Sequence, residues 1–301
     1  VDGDKIRFRK GLPQKIGGWT KFSQDYYVGV GRALEQWFAL NGSRYVAVGT
    51  DRKVYVYLGG DNQDITPIRE TATLVNAIST TTSSKILTIS DLNHGAKVGD
   101  FVTLSNVSAT VGGLTAATLD AEYQILSLAN VNAYTVESSG TANANAGPTA
   151  NCTASYQLNI GPSTQTFGYG WGASTWNTGT WGTPRSSSSV VLDTRLWSIN
   201  DWGEDLVITE KDGATYEWDT SAGMTNNRAT IVANAPTNST LSIVSTETRH
   251  VVCMGTETTI GNTGTQDKMF IRWSDQENYN QWSPNVTNSA GSQRIGGGSE
   301  I

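Results

Sequence analysis

Short runs in which apolar and β-branched residues alternate with polar ones recur along the chain, separated by polar turns. Tyr45-Val-Ala-Val-Gly-Thr50 and Lys53-Val-Tyr-Val-Tyr-Leu58 flank Asp51-Arg52. A period of two around a short polar turn predicts a β-hairpin. The pattern returns in Leu206–Thr209 and Ala214–Trp218 around Glu210–Gly213. A looser copy joins Val251–Thr256 to Lys268–Trp273 through a Gly/Thr/Asn loop. Only Val30–Leu40 hints at helical spacing, and weakly, so it is the single helix expected in an otherwise all-β chain.

The hairpins read as one repeated unit. Thr209 and Thr256 lie 47 residues apart, within the roughly 40–50-residue period of β-propeller blades. Thr50 and Thr209 lie 159 apart, too far for one period, which implies an insertion. Tryptophan locates it: after Trp19 and Trp37 the next is Trp171, and eight fall from there onward. The Trp-free stretch between has strands of its own: Lys85–Ile89, Asp100–Leu104, Glu122–Leu126 and Ala133–Glu137. The expected architecture is a β-propeller-like platform with an inserted small β-sandwich or barrel domain. Residues 1–70 would begin the platform, 71–158 form the insert, and 159–301 supply further blades.

Composition narrows the class. The 301 residues hold 21 Lys+Arg against 27 Asp+Glu, a net charge of −6, with only 16% charged. Disorder needs the opposite balance of low hydrophobicity and high charge. No apolar run approaches the roughly 18 residues of a membrane-spanning helix. Two cysteines, Cys152 and Cys253, make no disulfide framework, and two histidines leave little imidazole for metals or acid–base work. No signal peptide is visible at the start. The turn-like Ser289–Ile301 ends on an apolar residue, so the chain is expected to continue beyond both ends.

Catalytic chemistry finds little footing. No Gly-x-Ser-x-Gly elbow is present. His94 reads as a turn residue in Asn93-His-Gly95, and His250 leads into a strand. A carboxylate pair is harder to exclude, because glycosidases need two acids about 5–10 Å apart across a sugar. Asp201-Trp-Gly-Glu-Asp205 with Glu217 and Asp219 offers acids, and Trp202 and Trp218 a sugar platform. The competing reading is a polar turn between blade strands. Asp61-Asn-Gln-Asp64 offers loop oxygens without the spacing of a calcium loop. Phe167–Gly172 lacks the lysine of a phosphate loop. The basic run Lys5–Lys10 is too short for a nucleic-acid face in an acidic chain. No catalytic, cofactor or metal residue is assigned.

A family resemblance enters through longer motifs. Arg7-Phe8 with Gly11-Leu-Pro13-Gln-Lys15-Ile-Gly17-Gly18-Trp19 is followed by Gly59–Arg69, which contains Asp64, Thr66, Pro67 and Arg69. Further motifs are Trp171–Arg185, with Trp171, Trp176 and Trp181, and Ile271–Tyr279, with Trp273, Ser274 and Asp275. Together they resemble the tail nozzle, or tail tubular protein B, family of short-tailed bacteriophages. The insert around Asn93–Gly95, Val98–Asp100 and Tyr134–Val136 resembles a domain carried by such phage proteins. Two departures stand out: an acidic residue is expected where Gln14 stands, and the family continues well beyond Ile301.

The resemblance implies a non-enzymatic structural virion protein without cofactor. It implies a homohexameric ring that closes the distal tail, is assembled in the host cytoplasm, and meets tail adaptor and tail fibre or spike proteins. Double-stranded DNA would pass through during ejection without specific binding. An acidic ring suits that passage, since each Lys or Arg contact with phosphate adds affinity. Trp171, Trp176 and Trp181 are candidate subunit-interface anchors. The alternative is a carbohydrate-binding or glycoside-hydrolase propeller carried by Trp202, Trp218, Asp205 and Glu217.

Overall fold

The computed structural model describes residues 5–18, 20–165 and 193–298. Among these, strands dominate, and the α-helical content is Ala116–Leu119. The chain is all-β.

A hairpin of β1 (Ile6–Arg9) and β2 (Leu12–Lys15) comes first, with Phe8 opposite Pro13. Then β3 (Gly31–Phe38), β4 (Arg44–Thr50), β5 (Val54–Leu58) and β6 (Asp61–Asp64) form a four-stranded antiparallel meander. Two expectations are corrected here. Val30–Leu40 is not a helix, because β3 occupies it and pairs with β4, Glu35 opposite Ala47 and Trp37 opposite Tyr45. Trp37 is buried on one face while Leu34 and Phe38 project from the other. Apolar residues on both faces blur the period of two, and ladder pairing decides the outcome. Asp61–Asp64 is likewise a strand rather than a loop. The turn before it needs positive φ, which Gly59 (64°) and Gly60 (105°) supply.

The chain then enters an eight-stranded antiparallel sheet spanning Ile68–Gln157. Its members are β7 (Ile68–Leu74), β8 (Ile78–Thr80), β9 (Ile86–Ser90), β10 (Phe101–Ser105), β11 (Glu122–Asn130), β12 (Ala133–Glu137), β13 (Ala146–Thr149) and β14 (Cys152–Gln157). The order is β13-β8-β9-β12-β11-β10-β14-β7. Leu74, Ile78, Leu87, Val102, Ile125, Val136 and Ala154 meet in one buried cluster. Side chains from strands across the whole order reach a common centre only if the sheet curls around it. Two register shifts in the β11–β12 ladder assist, since bulges increase local bending.

Two further meanders follow. One contains β15 (Trp197–Trp202), β16 (Asp205–Glu210), β17 (Thr215–Trp218) and β18 (Thr230–Ile231). The other contains β19 (Leu241–Val244), β20 (Val251–Met254), β21 (Phe270–Trp273) and β22 (Gly291–Arg294). The three meanders stack face to face. Trp37, Tyr45, Ala47 and Val56 of the first share a core with Trp197, Leu206, Ile208 and Trp218 of the second. The second turns Trp202 and Val207 to the third, which answers with Val251 and Cys253. The leading strand β15 lies against both β3 and β19. Successive blades of a β-propeller stack in this way, first strand beside first strand.

Indole rings fix the first stack. Trp218 is fully buried, edge-on to Trp37 at 6.1 Å and to Tyr45 at 5.9 Å. Burying one indole removes about 200 Å² from water, worth about 5 kcal/mol before entropy. Trp197 packs so closely over Gly49 that a Cβ there would lie 2.7 Å from the indole Cδ1.

Candidate functional site

The motif Asp64-Ile-Thr-Pro-Ile-Arg69 is the crossing from the first meander into the insert. Its side chains build a polar junction that other parts of the chain complete. Lys53 is buried, with its ammonium 2.8 Å from Asp64 Oδ2 and also paired with Glu122 of β11. Arg228, beyond β17, reaches Asp64 Oδ1 at 3.3 Å and Glu122 Oε2 at 3.6 Å. Gln157, at the exit from the insert, donates to Glu122 Oε2 and to Asp64 Oδ2. Burial alone would raise the Asp64 carboxyl, but Lys53 and Arg228 outweigh it and hold it below its ordinary value. The group therefore remains a carboxylate inside the protein.

Around this junction the two crossing chains run side by side. Leu158 N donates to Pro67 O at 3.0 Å. Thr66 is fully buried; its hydroxyl accepts from Val54 N and its carbonyl from Arg228. Arg69 Nη2 donates to His94 O at 2.6 Å while its guanidinium lies 5.0 Å from the Tyr156 ring centre. Thus Asp64, Thr66, Pro67 and Arg69 come together as a clamp between three parts of the fold. Lys53, Glu122, Gln157 and Arg228 complete it, and reading the sequence missed all four. They are scattered over 175 positions with no motif to link them.

The remaining motif residues lie apart from that clamp. Arg7, Phe8, Gly11, Pro13 and Lys15 sit on the β1–β2 hairpin, with Gly17 and Gly18 just after it, all exposed. Trp273 donates its indole N–H to Ser289 O at 2.8 Å. Ser274 is buried and accepts from Val251 N at 3.0 Å. Asp275 accepts from Ser289 N, Ser289 Oγ and Gln276 N, and these bonds hold its carboxyl below the ordinary value. This trio therefore closes a turn. Trp19, Trp171, Trp176 and Trp181 lie outside the described residues, as does Phe167–Gly172.

The candidate sugar platform is corrected. Trp218 is fully buried and donates its indole N–H to Asn227 O at 3.1 Å. Trp202 is buried edge-on to Tyr279, with Arg249 against its ring. Neither ring can lie flat on a sugar. Asp205 accepts from Thr220 N at 3.0 Å, and Asp219 from Ser221 N at 2.8 Å. Burial pushes the Asp205 carboxyl up, with Asp219, Glu204 and Glu217 adding to the effect. Asp205 and Asp219 thus cap turns, as punctuation between strands does.

Histidines and cysteines add no constellation. His94 is buried, and its Nδ1 accepts from Ala96 N at 3.1 Å. His250 Nδ1 lies 2.8 Å from Ser274 O. Both cysteines are buried free thiols, each pushed up to about 11 by desolvation. No cluster of three or more metal-binding side chains occurs among the described residues. No helix there is long and apolar enough to cross a membrane. An open groove of about 780 Å³ on the insert is lined by Thr73, Ser90, Asp91, Asn130 and Asn132 among others. Its one carboxylate, Asp91, accepts a hydrogen bond from Tyr156 OH at 2.6 Å.

No family model matches the chain, and no curated protein is recognisably similar. Among solved structures, the Phage phi92 endosialidase overlaps at 14% identity with a TM-score of 0.26. The match covers 87% of this chain, which spans 38% of that protein's length. At that level the overlap carries no weight for fold or function.

Proposed function

We propose that this chain is a structural subunit of a phage tail, a nozzle or tail-tube component that assembles into a ring and lets DNA pass. The observation that carries the reading is the stack of three meanders interrupted by a clamped insert. It provides a rigid platform with a side module, built around cores and turn caps. The resemblance of the sequence motifs to the tail nozzle family suggests the specific role. The excess of acidic groups fits a conduit that does not hold the phosphate backbone it conducts.

Electron microscopy of the purified chain, alone and with tail partners, tests this reading. Six-fold rings are the expected result. A protein that stays monomeric and binds glycans on an array would overturn it. A ring with a strongly positive lumen would overturn the electrostatic part alone.

A further inference from the structure

Among the described residues no hydrogen bond or ion pair ties strands β1 and β2 to the platform, and the composition of the hairpin is distinctive. Every residue of both strands is exposed, including Phe8 at 76% and Leu12 at 71%. One face carries Ile6, Phe8, Pro13 and Lys15; the other carries Arg7, Arg9, Leu12 and Gln14. An isolated two-stranded hairpin is at best marginally stable in water. Both the apolar side chains and the ladder itself therefore call for a covering surface.

Charge identifies that surface. Residues 1–15 hold five Lys/Arg and two Asp. The rest of the chain has the other sixteen basic and twenty-five acidic groups, an excess of nine negative charges. Part of that excess is concentrated where the first two meanders meet. Glu35, Asp201 and Glu204 lie along that edge, and none stands in an ion pair among the described residues. They already crowd one another: burial raises the Glu35 carboxyl and Asp201 adds to the effect. Leu40, 88% exposed, borders them, its N–H donating to Glu204 Oε2 at 3.3 Å.

We infer that the hairpin is an exchange arm that docks on a second copy of this chain. Its arginines meet the acidic edge between the partner's first two meanders, and Phe8 covers the apolar surface at Leu40. The contact is head-to-tail, so repetition builds a ring or a filament rather than a closed dimer of like faces. This deepens the ring reading by naming its interface. Double-stranded DNA is the competing occupant for a basic ribbon, and the following test separates the two.

Sedimentation of the intact chain at 10–200 µM should show self-association that weakens at least tenfold between 50 and 500 mM NaCl. Reversing the arm (Arg7→Glu, Arg9→Glu, Lys15→Glu) should give a monomer with an unchanged unfolding midpoint. Adding Asp201→Lys and Glu35→Lys to that variant should restore association. A photo-crosslinker in place of Phe8 should capture the partner near Leu40, which keeps the test valid if the edge variant folds poorly. A wild-type monomer at 200 µM, or association indifferent to arm reversal, would overturn the inference. Arm-dependent binding of a 30-base-pair duplex without self-association would overturn it too. Rings that persist after arm reversal would refute the arm and leave the ring reading standing.

Discussion

Single residues hold this fold through two kinds of burial. Trp218 is apolar burial, wedged between Trp37 and Tyr45 where two meanders share a core. Trp218→Ala should cost about 3–5 kcal/mol, read as a lower urea midpoint. Asp64 is polar burial and carries a pH signature. Its native pKa is depressed below the unfolded value of about 3.9. Its contribution is therefore complete above that value and disappears as pH falls through the native one. Asp64→Asn should be markedly less stable than wild type at pH 6, with the gap closing toward pH 2. A gap that stays constant across urea titrations over that range would refute the assignment. Trp218 illustrates what a sequence hides: beside Glu217 and Asp219 it reads as a sugar platform, and only the neighbouring sheet shows that it is core.

Elements were legible in proportion to how local their pairing is. The β4–β5 and β16–β17 hairpins stand out because alternation and turn residues lie within about fifteen positions. Strand β6 escaped because Asp61-Asn-Gln-Asp64 has no apolar residue; backbone pairing to β5 makes it a strand. Strand β3 escaped because Leu34 and Phe38 put apolar side chains on the face opposite Trp37. At the level of sheets, β4 meets β15 at close range, where Trp197 covers Gly49 and donates to Thr50 O at 2.6 Å. Gly49→Ala forces the two sheets apart. A cost of about 1–3 kcal/mol in thermal or urea unfolding is expected. The same substitution at Gly147, which meets nothing within 4 Å, should cost well under half as much.

For the whole molecule, the hydrogen bond from Leu158 N to Pro67 O has a kinetic consequence. The first two meanders share one core, yet about 130 residues separate Asp64 from Arg195. Closing a loop of that length costs about 4 kcal/mol in chain entropy, and a loop of about forty residues costs roughly 1 kcal/mol less. A folded insert with adjacent ends makes that shortening, because Ile68–Gln157 then counts as a single short step. The insert should accordingly fold first and template the platform. Pulse-labelled hydrogen exchange during refolding should protect amides of β9, β10 and β12 before those of β4 and β15. Substitutions that unfold only the insert should slow platform assembly several-fold even where they touch none of its residues. The module that interrupts the platform in sequence is thus the one that hastens its completion in time.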